Sequence, residues 1–369
     1  MKLRFKLRSK TALFAVFVVA AFSSGCAGVV LNPNPSYFAL GDFITDGATL
    51  SNPTQQAYPA LVSRQIDAPL TNLANAGDQA CDMAARQIFP NGLSSTLAMH
   101  STYSVLIGVN DVDNQGEGVY EQVFEQCNQA VLAWLALPAE DKILAGAAGF
   151  QAAGPGQIDT SNGWNAWTTA GQGSTVSFTI VTTKPGPVYA WPLIDDSSMA
   201  TYTYVLDGVV SGIAAVRTVP AMATQNGTTR SLGFLRWPYL PAGSHTITFT
   251  QNNSGTGGIS VVGIGSPVAS NAASSAGQLP VVLAGTVPYQ MHTGANTGCQ
   301  STDAPCLAYN IDIQVDVDMM AGDGLDVRLF DTRKYLQATT AEMKDATHPN
   351  AAGQQKLSQA VQAAWLSKN

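Results

Sequence analysis

The stretch from Tyr37 to Leu50, YFALGDFITDGATL, limits what this chain can fold into more than any other. It opens with an apolar run, Tyr37 to Leu40, that ends in Gly41-Asp42, which predicts a buried strand stopped by a sharp turn. Tyr58, Leu61, Val62 and Ile66 then recur at helical spacing, beyond a loop through Pro53. The order repeats further on. Thr71 to Ala74 predicts a short strand feeding Asn75 and Gly77, and Tyr103 to Ile107 predicts another feeding Gly108 and Asn110. Val119, Val123, Phe124, Cys127, Val131 and Trp134 mark one face of a long amphipathic helix. Strand, loop and helix in alternation is the signature of a mostly parallel sheet wrapped by helices. Turns just past the carboxyl ends of such strands are where α/β proteins hold their ligands.

The pattern changes after Gly146. From about Gln151 to Ala269, short β-rich runs alternate with Gly, Pro and Asn clusters: Ser174 to Thr182, Pro187 to Ile194, Thr201 to Leu206, Gly233 to Trp237, His245 to Gln251 and Ile259 to Ile264. Several short strands separated by turn signals predict a β-sandwich or jelly roll. The α/β pattern resumes at Gln278, with apolar runs at Pro280 to Pro288 and Leu325 to Phe330 and a helix striped by Leu357, Val361, Ala364 and Trp365. The expected division is residues 26–150 and 270–369 as one discontinuous α/β domain, with 151–269 inserted as an all-β sandwich. The aromatics of the insert admit two readings, a sugar-stacking platform or core. Trp164 and Trp167, in a Gly/Asn-rich loop, are the candidates for exposure and ligand binding, while Trp191 and Trp237 read as core.

Residues 1–25 read as a targeting segment: Lys2, Arg4, Lys6, Arg8 and Lys10 precede an apolar run from Ala12 to Phe22 that is short for a membrane span. Ser23-Ser24-Gly25-Cys26 matches a bacterial lipobox except at Ser23, where leucine is usual, so a lipid anchor to the membrane at Cys26 and plain secretion both stay open. Either way the chain is exported. Without residues 1–25 the formal charge moves from −7 to −12, since five positive charges and no acids are removed. An acidic surface without a Lys/Arg cluster argues against nucleic acid as a partner. Cys81, Cys127, Cys299 and Cys306 remain, an even number in an oxidising compartment. Cys299 and Cys306 bracket a short loop and are expected to bridge, which leaves Cys81 for Cys127; buried free thiols are the alternative, and no histidine stands at zinc-ligand spacing.

Four segments carry a further signal: Gly41-Asp42-Phe43-Ile44-Thr45-Asp46-Gly47, Asn75-Ala76-Gly77-Asp78, Gly108-Val109-Asn110-Asp111 and Asp345-Ala346-Thr347-His348-Pro349. In this order they resemble the four blocks of the SGNH, or GDSL-type, hydrolases. The resemblance covers Tyr37 to about Gly146 and Leu279 to Asn369, but not the middle of the chain. It implies a flavodoxin-like α/β domain that hydrolyses carboxylic esters of acylated sugars, lipids or small molecules, without a cofactor. By resemblance, position 43 belongs to the nucleophile. The Gly77 N–H and the Asn110 amide would hold the oxyanion, with the backbone at position 43 as a third donor. His348 would be the general base, oriented by Asp345.

The departure falls on the nucleophile, a serine in the family and Phe43 here. A benzyl side chain has neither an acidic proton nor a lone pair, and its ring takes the space an acyl carbon needs. Loss of a triad serine costs on the order of 10⁶ in kcat. Thr45, the nearest hydroxyl, reads as a cap rather than a substitute nucleophile. Asp111, Asp113 and Asn114 lack the glycine and terminal glutamate of an EF-hand loop and read as a solvated loop, so no metal is expected. His100, His245 and His292 have no partner pattern. Two functions of different class follow: an exported esterase homologue that has lost its nucleophile, and a cell-envelope protein that holds a glycan or acylated ligand without turnover.

Overall fold

A computed structural model of the protein describes residues 36–93, 101–115, 118–218, 222, 224, 226–254, 257–269, 279–291, 299–300 and 302–367. The expected leader, Cys26, His100 and His292 lie outside the described residues. The apolar run after Ser36 forms β1 (Tyr37–Gly41), followed by the short helix α1 (Phe43–Asp46), α2 (Tyr58–Ile66), β2 (Leu70–Asn72), β3 (Thr102–Leu106), α3 (Val109–Gln115) and α4 (Val119–Ala136). The middle of the chain contributes the strands β4 (Lys142–Leu144), β5 (Phe150–Ala153), β6 (Gly156–Asp159), β7 (Ala166–Thr169), β8 (Thr175–Thr182), β9 (Gly186–Asp195), β10 (Thr201–Leu206), β11 (Val209–Ala215), β12 (Arg230–Leu232), β13 (Leu235–Leu240), β14 (Gly243–Gln251) and β15 (Ser260–Gly265). Then come β16 (Val281–Gly285), α5 (Ala304–Gly322), β17 (Val327–Phe330) and α6 (Ala351–Leu366).

The fold mixes helices with parallel and antiparallel sheets. β2, β1, β3, β16 and β17 lie side by side in that order and are all parallel. Two helix pairs cover this sheet, α2 on α6 and α4 on α5. The order turns back between β1 and β3, and open parallel sheets hold ligands outside the carboxyl ends of their strands at such a point. Gly41 ends β1 with φ +153°, where a Cβ would lie 2.3 Å from Leu106 O, so only glycine lets β1 end this close to β3.

β11, β10, β14, β8 and β5 make one antiparallel sheet; β12, β9, β15, β7 and β6 make another, with β13 paired to β9 and β4 to β15. The antiparallel region thus takes in residues before 151. β8 and β14 alternate buried and half-exposed residues, as strands with one solvated face do. β9 is buried throughout, because both of its faces are covered. Val188 and Ala190 face the core between the two sheets, with Phe178 and Phe249. Tyr189, Trp191 and Leu193 point the other way, into the core that contains β1, β3 and α4. There Trp191 meets the edge of Trp134 at 5.0 Å and donates from Nε1 to Ala130 O.

One expectation is corrected here. Trp164, predicted at the surface for ligand binding, is fully buried in that same core, its ring 4.3 Å from Phe89. The Gly/Asn-rich loop around it is seated on Phe89, where a Cβ at Gly163 would lie 2.5 Å from the Phe89 carbonyl. Trp167 is half-buried against Phe150. Trp191 is core, as read from the sequence, and Trp237 is half-buried. Cys81 is bridged to Cys127 and Cys299 to Cys306, with Cα–Cα distances of 5.1 and 4.9 Å. Among the described residues no helix is long and apolar enough to cross a membrane.

Candidate functional site

The loops that leave β1, β2 and β3 are neighbours because their strands are, and polar side chains lock them together. Gln87 receives Gly41 N–H on Oε1 and donates from Nε2 to Gly41 O and to Asp78 Oδ2. Asn75 N–H donates to the same Gly41 carbonyl, at 3.1 Å. Asn110 Nδ2 donates to Asp78 O at 2.9 Å, and Gln79 Nε2 returns a bond to Asn110 O at 3.1 Å. Asp111 accepts from Ala80 N–H with both carboxylate oxygens. The two segments named as oxyanion donors are therefore held as one piece, with Gly77 at φ +83°, a backbone that favours glycine.

His348 comes from the other end of the chain. Its loop ends where Asn350 caps α6, accepting from the Ala352 and Gly353 N–H groups. Gln354, in the first turn of α6, donates to Ile44 O and accepts from Tyr58 N–H, so the start of α6 is fastened to α1 and α2. Lys344 Nζ donates to Thr49 O beyond α1. These ties place the His348 ring 4.6 Å from the Phe43 ring, tilted by 50°. Asp345 Oδ1 lies 2.8 Å from His348 Nδ1 and also accepts the backbone N–H groups of Thr347 and His348. The geometry suits a carboxylate that orients an imidazole, leaving Nε2 for a reacting group. Burial pushes the Asp345 carboxyl up, but these hydrogen bonds outweigh it and hold it below the usual range.

Beneath this surface the carboxyls behave in the opposite way. Asp42, the N-cap of α1, accepts from Ile44 N–H on Oδ1, while Oδ2 is buried without a partner among the described residues. Burial raises it to about 7 against the Ile44 bond, and the charges of Asp78 and Asp113 add to the rise. Asp78 is raised to about 6, again by burial, although Gln87 and Arg86 oppose it. Asp111 is pushed well up by burial. Among the described residues no cluster of His, Cys, Asp or Glu is arranged to hold a metal ion.

The structure thus brings Phe43 to His348 and Asp345, and the Gly77 loop to Asn110. It also answers two subsidiary readings. Thr45 is buried, its Oγ1 3.0 Å from Tyr58 OH, which keeps it in the core. Asp111, read as part of a solvated loop, is buried instead, because it is spent on the Ala80 N–H. His245, on β14, lies between Asp207 and Pro241 O. Sequence reasoning missed Gln87 and Gln354; both act across 46 and 310 residues respectively, and nothing in local spacing marks them.

No family model matches the sequence, and no curated protein matches it. Solved structures similar to this chain include a two-domain esterase (CEX) active on acetylated mannans, co-crystallised with mannopentaose. That match has 9% identity over 67% of this chain and 93% of the other, with a TM-score of 0.35. A family 35 carbohydrate-binding module from an environmental isolate matches 35% of this chain and 96% of its own at 15% identity, with a TM-score of 0.28. The carbohydrate-binding module CBM36, in complex with calcium and xylotriose, matches 33% and 96% at 15% identity, with a TM-score of 0.25. Likeness at this level carries nothing over to the chemistry of the present site.

Proposed function

We propose that this protein is an exported SGNH-type hydrolase homologue, built on a flavodoxin-like domain with an inserted sandwich at residues 151–269, whose nucleophile seat is filled by Phe43. On this reading it retains an ester pocket but not the ester chemistry, and a lipid on Cys26 holds it at the cell envelope. The observation that carries it is the Phe43 ring lying 4.6 Å from the ring of a His348 already paired with Asp345. The strand order β2, β1, β3, β16, β17 supports the fold part of the reading. An imidazole oriented by a carboxylate activates a hydroxyl, and here a hydrocarbon stands in front of it.

The same ring favours a second reading, in which an acylated or glycan ligand is held and not turned over. The purified protein should neither hydrolyse a short activated ester above the rate of buffer nor react with a fluorophosphonate, and His348→Ala should change neither result. Ester turnover by the unaltered protein that disappears in His348→Ala would mean that another nucleophile or a histidine-activated water operates, and both readings would fail.

A further inference from the structure

Away from His348, a cleft of about 380 Å³ separates the amino-terminal half of α4 from the sandwich, walled by Pro192 of β9 and Leu235 of β13. Small-ligand sites occupy roughly 300–1,000 Å³. Polar groups with unused bonding capacity converge on it. Gln122 and Gln126, one helical turn apart on α4, line the cleft, and their side-chain amides have no partner among the described residues. Tyr202 of β10 also lines it and is 5% exposed, yet its hydroxyl bonds no group among the described residues. The hydroxyl itself keeps contact with solvent, so it is open to a ligand in the cleft.

Arg217 completes the set. Among the described residues its exposed guanidinium reaches only Met199 Sδ, at 3.6 Å. Every other arginine among the described residues bonds or pairs with an oxygen: Arg64, Arg86, Arg230, Arg236, Arg328 and Arg333. A guanidinium presents its donors as a planar fork, which suits two adjacent oxygens.

We propose that this cleft binds a segment of an uncharged oligosaccharide. The two amides and the tyrosyl hydroxyl both donate and accept, as sugar hydroxyls do. The Arg217 fork spans a vicinal diol, and the Pro192 and Leu235 walls take the C–H faces of the rings. The inference rests on the glycan-ligand part of the proposed function and assigns that ligand to the cleft rather than to Trp164 or Trp167.

The test is calorimetric titration of the full-length protein with mannohexaose, xylohexaose and cellohexaose. At least one should bind saturably. Gln126→Ala and Arg217→Ala, both at accessible positions, should each weaken that binding about tenfold. Tyr202→Phe, which removes only the hydroxyl, should weaken it about threefold. Trp167→Ala should leave it unchanged. If no hexasaccharide binds, or if binding is untouched by the cleft substitutions or lost in Trp167→Ala, the cleft is not the saccharide site. Any of these failures leaves the ester reading to its own test, since fluorophosphonate labelling of a Phe43→Ser protein requires no glycan.

Discussion

Asp42 and Phe43 are adjacent in sequence and opposite in environment: the carboxyl is sealed under the sheet end while the ring faces His348. Burial raises Asp42 to about 7 and Asp316, packed between α4 and α5, to about 8. The folded state therefore holds these protons more tightly than the unfolded chain, whose carboxyls titrate near 3.8. Their contribution to stability is complete below that value and is lost as pH rises through about 7 to 8. The gap at Asp42 corresponds to about 4 kcal/mol. Denaturant unfolding should show the protein less stable at pH 8 than at pH 5, with Asp42→Asn removing part of the difference; an unchanged difference would show that Asp42 does not titrate there. Depressed groups such as Asp345 act only in stronger acid, so they do not mask the effect. Phe43, Asp345 and His348 were legible because their relations are local or carried by short motifs. Gln87 was not, since a lone amide that bonds Gly41 from 46 residues away has no pattern of its own.

At the scale of elements, β-rich runs bounded by turn residues were readable, and Thr201–Leu206 forms a strand as read. β11 was not read as a strand. Its residues Val209, Val210 and Ile213 are exposed although apolar, and Gly212 interrupts them where the Tyr204 ring lies across the backbone. Trp164 was misplaced because a Gly/Asn-rich neighbourhood indicates a loop but not what the loop packs against. The Cys81–Cys127 bridge couples two elements that matter to the site, the loop after β2 and α4. It spans a separation of 46 residues, for which chain entropy alone gives about 4 kcal/mol. The Cys299–Cys306 bridge spans 7 and gives about 2 kcal/mol on the same basis. Cys81→Ser/Cys127→Ser should accordingly lose more unfolding free energy than Cys299→Ser/Cys306→Ser. Equal losses would mean that unfolded-chain constraint is not how the bridges act.

Over the whole molecule, the described residues from Ser36 onward form one compact unit in which the parallel and antiparallel sheets share a core. Covering β9 on both faces is what joins the two kinds of sheet: Trp191 and Trp164 sit with Trp134 and Phe89, and the Tyr189 hydroxyl and Arg236 both bond Asp323 after α5. Truncating a buried Trp costs about 3–5 kcal/mol. Trp191→Ala should therefore lower the midpoint of a single unfolding transition monitored at both near- and far-ultraviolet wavelengths. Two separated transitions would show that the sandwich and the parallel sheet unfold independently. The central claim, that only the nucleophile is missing from an otherwise assembled ester site, is tested most directly by the reaction of Phe43→Ser with a fluorophosphonate. The account predicts stoichiometric labelling at Ser introduced there, with burst hydrolysis of a short activated ester, and loss of both when His348→Ala is added. A folded Phe43→Ser protein that takes up no label and turns over no ester would contradict it.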